Sequence, residues 1–236
     1  MNWDLYDAFL FDLDGVVTPT AELHMRAWAE MFNSFLAARG VVEPYTDDDY
    51  FAHVDGKPRY DGVRSFLASR GLALPEGDPS DAPGDTSVCA LGNRKNDAFN
   101  VVLARDGIAA YPGSLAFLDA VDARGKGKAI VSSSKNARTV LRAAGLADRF
   151  AVVVDGVVAA DRGLPGKPAP DTFLHAAQAL GVPASRAVVL EDAVSGVAAG
   201  AAGSFGLVIG VDRGAGADAL TRAGADVVVA DLGELA

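Results

Sequence analysis

The chain has 236 residues, 50% of them hydrophobic and 22% charged, with a formal net charge of -10. That length and composition suffice for one full core plus a smaller accessory domain, and they exclude global disorder. The acidic balance gives no electrostatic footprint for nucleic acid or an anionic membrane surface, so neither is expected as a partner.

Short apolar runs alternate with helical patterns. Residues 6–11 read as a strand that ends at Asp12. The rhythm then breaks: residues 21–39, 60–70 and 91–105 carry helical periodicity, and a Pro-, Gly- and Asp-rich loop over 74–86 separates the last two. Strand patterns return at 128–131, 151–154, 187–190, 204–209 and 226–229. Ala-rich amphipathic stretches at 114–123, 137–143, 171–180, 194–201 and 217–223 lie among them, several closing on Gly. Nearly uninterrupted apolar strands followed by helices predict a Rossmann-like parallel α/β sheet covered on both faces. The expected division is a core of residues 1–19 and 107–236 with a helical domain, 20–106, inserted after the first strand.

Ligands of open α/β sheets sit beyond the carboxyl ends of the strands. The first strand is followed there by Asp12-Leu13-Asp14-Gly15, and the second by Ser132-Ser133-Ser134-Lys135-Asn136. Gly166-Lys167-Pro168 lies beyond the third, and Glu191-Asp192 follows the fourth. Taken singly, these read as a turn, a helix cap, a solvated lysine and a helix-start charge pair. Taken together, they form one site. Its carboxylates repel one another unless a cation sits among them, and an oxygen-only set suits Mg²⁺. A carboxylate, Asp12, is placed to attack phosphorus, while Ser132 and Lys167 neutralise the transferring phosphoryl oxygens.

These four motifs, in this order, resemble the haloacid dehalogenase superfamily, and within it the β-phosphoglucomutase family, over nearly the whole chain. Phe11-Asp12-Leu13-Asp14-Gly15-Val16, followed by Thr20, His24, Arg26 and Trp28, is part of the likeness. The resemblance implies Asp12 as nucleophile, Asp14 as general acid and base, and Ser132 and Lys167 on the transferring phosphoryl group. It implies Mg²⁺ held by Asp12, the main-chain carbonyl of Asp14, Glu191 and Asp192. The inserted helices correspond to a mobile cap. There, Gly56 and Arg59 match a substrate loop, with Arg59 on the distal phosphate, and Lys95 and Asn96 lie over the sugar. His24 and Trp28 are further substrate contacts, although one helical turn of spacing also fits packing alone. Ser134, Lys135 and Asn136 meet the other phosphate from the core side.

The implied activity is a mutase that converts β-glucose 1-phosphate to glucose 6-phosphate through a bisphosphate; a sugar-phosphate phosphatase is the alternative. Two features depart from the family pattern: Pro19 stands at the hinge where Asp is usual, and the cap is longer at 40–51 and 75–88. The one cysteine, Cys89, excludes an internal disulfide and suits a reducing compartment. Residues 1–6 carry no basic stretch, and no apolar run reaches the ~18 residues of a membrane span. The expectation is a cytoplasmic monomer acting on a small phosphorylated sugar.

Overall fold

The computed structural model describes all 236 residues, Met1–Ala236. It divides into two compact units, one of Met1–Thr20 with Ile108–Ala236 and one of Ala21–Gly107.

The first unit is a six-stranded sheet of order β3-β2-β1-β4-β5-β6. Its strands are β1 (Ala8–Phe11), β2 (Gly127–Val131), β3 (Val152–Val154), β4 (Ala187–Glu191), β5 (Leu207–Val211) and β6 (Val227–Val229). All five pairings are parallel. The chain leaves β1 to one side for β2 and β3, then returns to its other side for β4 to β6. This reversal of strand order at β1 is the switch point where ligands collect beyond the strand ends.

Strand alternation sorts the core into two layers. Phe9 and Phe11 point to one face, where they meet Trp3 and Phe117 edge-on at 5.5–6.1 Å between ring centroids. Ala8 and Leu10 point to the other, into a cluster with Val131, Phe173, Val189 and Val197. With a side-chain period of two, Asp12 and Glu191 fall on the same face as Leu10 and Val189. One apolar register thus sends two carboxylates into the same buried layer.

The second unit contains α1 (Thr20–Ala38), a short α2 (Asp47–Asp49) continued by a π-turn (Tyr50–Val54), α3 (Arg59–Ser69) and α4 (Val88–Asp106). Its own core is aromatic, with Trp28, Phe32, Phe35, Tyr45 and Phe66 all buried. Flanking the sheet are α5 (Pro112–Ala123), α6 (Ala137–Ala143), α7 (Gly156–Arg162), α8 (Asp171–Ala179), α9 (Val194–Ala202) and α10 (Ala217–Ala223).

Two differences from the sequence expectation have local causes. β5 is displaced from 204–209 to Leu207–Val211. Ser204 takes a φ of 53°, and Gly206 N donates to Ala184 O and Ala187 O, both at 3.0 Å, so residues 204–206 form the turn that enters the strand. Helix α7 was not expected from its Val-rich sequence. Asp155 Oδ1 caps it by accepting from Val157 N at 3.1 Å and Val158 N at 2.9 Å. Gly163 closes it in the left-handed conformation. No helix is long and apolar enough to cross a membrane.

Candidate active site

Asp12 follows β1 directly, and its N–H donates to Leu190 O at 2.9 Å, which extends the β1–β4 ladder by one step. This sets Asp12 level with Glu191 at the end of the neighbouring strand. Lys167, on the loop after α7, joins them. Its ammonium donates to Asp12 Oδ1 at 2.5 Å, to Glu191 Oε1, and to Val131 O at 3.0 Å. All three residues are buried, Glu191 completely. Burial alone would discharge the lysine, but Asp12 and Glu191 outweigh it and hold its pKa above the usual value. The Asp12 carboxyl is pushed well above the usual carboxylate range, first by burial and then by the nearby charges of Glu191 and Asp14, with Lys167 opposing.

Asp14 sits one turn further on. Its Oδ1 accepts from the Thr20 hydroxyl, and its Oδ2 accepts from Ser132 Oγ at 3.3 Å. Thr18 Oγ1 and Thr20 Oγ1 lie 2.9 Å apart, so a chain of buried hydroxyls backs this carboxylate. Gly15 has a φ of +87°, and a Cβ there would overlap the Asp192 carboxylate. Only glycine lets the 12–15 loop turn this tightly beside Asp192.

Ser132 follows β2, and Ser132 N donates to Val154 O at 3.0 Å. The serine run does not act as the N-cap of α6. Ser132 Oγ accepts from Ser134 N at 3.0 Å, and Ser134 Oγ accepts from Asn136 N at 3.1 Å. Asn136 precedes α6 without a side-chain cap bond. Gly156 N, at the start of α7, donates to Ser134 O at 3.1 Å. The unexpected helix therefore fixes the loop that presents Ser134, Lys135 and Asn136.

Glu191, expected among the Mg²⁺ ligands, ends β4 with its carboxylate buried. Its Oε1 accepts from Lys167 and its Oε2 accepts from Ala193 N at 2.8 Å, and each oxygen keeps a further lone pair. Gly196 on α9 makes the room, since a Cβ there would overlap the Glu191 carboxylate. No three His, Cys, Asp or Glu side chains gather as a self-sufficient metal group. The oxygen donors that could hold a cation beside the 12–15 loop are the Asp12, Glu191 and Asp192 carboxylates and the Asp14 main-chain carbonyl. Such a set fits Mg²⁺, which keeps several waters and takes few protein ligands.

In the helical unit the anticipated residues form two groups. His24 and Trp28 lie one turn apart on α1, and Lys95 on α4 meets both. Its ammonium donates to His24 Nδ1 and lies 4.9 Å from the Trp28 ring centroid and 5.2 Å from that of Phe99. The His24 ring stacks on Phe99 at 4.1 Å. Arg59 opens α3 just after Gly56, whose φ is +68°. Its guanidinium donates to Asn96 Oδ1 at 2.6 Å and Asn93 Oδ1 at 3.1 Å. Burial lowers its pKa from the usual value, with Tyr60 and Asp97 opposing. Asn93, absent from the sequence expectation, also accepts from Tyr60 Oη at 2.9 Å. Its spacing of three from Asn96 on α4 was the available signal.

The fold and site define an α/β enzyme of the aspartate-rim type with a helical cap inserted after the first strand. The model of the haloacid dehalogenase-like hydrolases matches residues 6–203, and the chain belongs to that family. A β-phosphoglucomutase of Mycobacterium tuberculosis is 51% identical, the match covering 97% of this chain and 90% of the relative. The crystal structure of a Clostridium difficile β-phosphoglucomutase has the same fold, with a TM-score of 0.77 at 24% identity over 98% of this chain and 93% of that one. The CbbY protein of Rhodobacter sphaeroides, solved in complex with phosphate, aligns with a TM-score of 0.74 at 27% identity, covering 98% of this chain and 96% of CbbY.

Proposed function

We propose that this enzyme is a Mg²⁺-dependent β-phosphoglucomutase that transfers a phosphoryl group through Asp12. The observation that carries the reading is the buried Asp12–Lys167–Glu191 triad at the switch point, with Asp14 held one turn away by Thr20 and Ser132. The similarity to the mycobacterial β-phosphoglucomutase supports the choice of substrate.

Bound Mg²⁺, held by Asp12, Glu191, Asp192 and the Asp14 carbonyl, would offset the repulsion between a phosphate dianion and an anionic nucleophile. In the priming step Asp12 attacks a phosphorus of the 1,6-bisphosphate, the P–O bond to the sugar breaks as Asp14 protonates the departing oxygen, and Asp12 becomes an aspartyl-phosphate. Lys167 neutralises charge on the transferring oxygens, and Glu191 fixes the lysine in place. Ser132 turns its hydroxyl from Asp14 to the phosphoryl group. Asp14 removes the proton of the sugar 6-hydroxyl as that oxygen takes the phosphoryl group from Asp12, giving the 1,6-bisphosphate. After the bisphosphate turns over, Asp12 accepts the phosphoryl group from the 1-oxygen and Asp14 returns the proton there. Glucose 6-phosphate leaves, and phospho-Asp12 is ready again. Arg59, steadied by Asn93 and Asn96, grips the distal phosphate. Lys95, His24 and Trp28 contact the sugar, and Ser134, Lys135 and Asn136 meet the other phosphate from the core. A reaction on phosphorylated sugars fits the cytoplasm.

A phosphatase reading draws on the hydrolase family model, since water resolves the same aspartyl-phosphate. One experiment separates the two. The protein is given Mg²⁺, β-glucose 1-phosphate and a trace of the 1,6-bisphosphate, and phosphorus NMR follows the products. Glucose 6-phosphate supports the mutase; inorganic phosphate alone overturns it in favour of the phosphatase.

A further inference from the structure

Arg213 follows β5 in the loop that leads to α10, outside every motif named above. Its guanidinium makes three hydrogen bonds. Nε donates to Gly15 O, Nη1 to Ala230 O and Nη2 to Asp231 Oδ2, each at 3.0 Å. The same group lies 4.0 Å from the ring centroid of Tyr111, a stacking geometry that suits a planar cation. The side chain is 21% exposed, so these contacts are only partly screened.

What Arg213 holds matters more than how many bonds it makes. Gly15 directly follows Asp14, and its N–H is already used by Thr18 O at 2.8 Å. The Gly15 carbonyl is the next handle on that loop. The other partners form a fixed frame. Asp231 Oδ1 accepts from Gly233 N at 2.8 Å, which ties it to the C-terminal turn. Tyr111 N donates to Val17 O at 3.0 Å, and Ser114 Oγ donates to Val16 O at 2.6 Å. The segment after Asp14 is therefore clamped from two sides, and Arg213 joins the clamps.

We propose that Arg213 is a positioning residue for Asp14: through Gly15 it fixes the backbone from which that carboxyl reaches the departing or attacking oxygen. The inference rests on the reading of Asp14 as general acid and base. A plain structural tie between the chain ends would make the same contacts, so the test must separate correct placement from correct folding.

A general acid matters most when the leaving oxygen is a poor leaving group. Acetyl phosphate expels acetate, which needs no proton, whereas ethyl phosphate expels an alkoxide, which does. kcat/KM for phosphate release reports the steps up to that departure, and neither probe contains a sugar, so the choice between mutase and phosphatase does not enter. For Arg213→Ala we expect kcat/KM for ethyl phosphate to fall about tenfold or more, the scale of a misplaced catalytic group, and that for acetyl phosphate to fall less than about threefold. Arg213→Lys, which keeps the charge near Asp231 but lacks the fork, should lie between and serves if the alanine variant folds poorly. Equal loss on both probes, or loss on neither, would overturn the inference. Asp14→Asn is measured alongside. Selective loss there with an even loss in the Arg213 variants overturns the positioning role alone. No selectivity in Asp14→Asn overturns the acid–base reading and the inference together.

Discussion

Lys167→Met removes the only ammonium seen bonded to both Asp12 and Glu191. The structure sets the scale of the effect. Lys167 and Glu191 have side chains 1% exposed and Asp12 9%, so water cannot replace the lost partner. Breaking a buried pair from one side costs about 3–5 kcal/mol, because a charge stays behind uncompensated. Against an ordinary total of roughly 5–15 kcal/mol, that is a large share. With a urea slope of about 2 kcal/mol per molar, the unfolding midpoint should fall by about 2 M. Glu191→Gln in the same chain removes one of the stranded charges. The double variant should recover about 1–3 kcal/mol relative to the sum of the single changes. Urea melts of the four proteins followed by circular dichroism measure both quantities. In parallel, phosphoryl transfer by Lys167→Met should drop about 10²- to 10³-fold, as for loss of a donor aimed at developing charge. A Lys167→Met protein within 1 kcal/mol of the parent, or a double variant no better than additive, would refute the assignment of Lys167 as the counter-charge of this pair.

Asp12→Asn should abolish transfer and leave the circular dichroism spectrum unchanged, because an amide cannot act as the nucleophile. Exhaustive chelation should stop turnover, and Asp192→Ala should raise the Mg²⁺ concentration needed for half-maximal rate. Arg59→Ala should lower mutase efficiency by roughly 10²-fold but change acetyl phosphate hydrolysis far less, with Lys57→Ala as a charge-matched control; equal effects on both reactions would remove Arg59 as the distal grip. Away from the site, burial raises the Asp122 carboxyl but hydrogen bonds from Lys128 and Arg149 outweigh it, so its pKa is lowered. A depressed carboxylate contributes stability above its unfolded value near 4, and that stability is lost as pH falls through the lower folded value. Asp122→Asn should therefore cost about 1 kcal/mol at pH 7, and little once the pH is below the folded value, as read from thermal melts.

The sheet core was legible because parallel strands buried on both faces leave uninterrupted apolar runs, the first four of which stop at a polar residue. That stop alone singled out Asp12, Ser132 and Glu191 as candidates, and the six-stranded α/β sheet with an inserted helical cap agrees with the reading. The start of β5 was misplaced because Phe205 continues the apolar pattern through a turn that only backbone conformation reveals. Helix α7 was passed over because its Val pair mimics the strand before it, and its Asp155 cap and Gly163 stop were the stronger signals. Long-range ties were beyond reach of spacing. The hold of Lys167 on Glu191 and the Arg213 clamp on Gly15 join residues 24 and 198 apart.

The most direct measurement is to find the phosphoryl group on the protein. The enzyme with Mg²⁺ is mixed with β-glucose 1,6-bisphosphate labelled with ³²P, quenched in acid after milliseconds, digested and sequenced by tandem mass spectrometry. If Asp12 is the nucleophile, the label resides on the peptide of the first strand at Asp12, and in a chase with β-glucose 1-phosphate it passes to sugar at least as fast as turnover. Label on any other residue, or turnover with no covalent label at all, would contradict it.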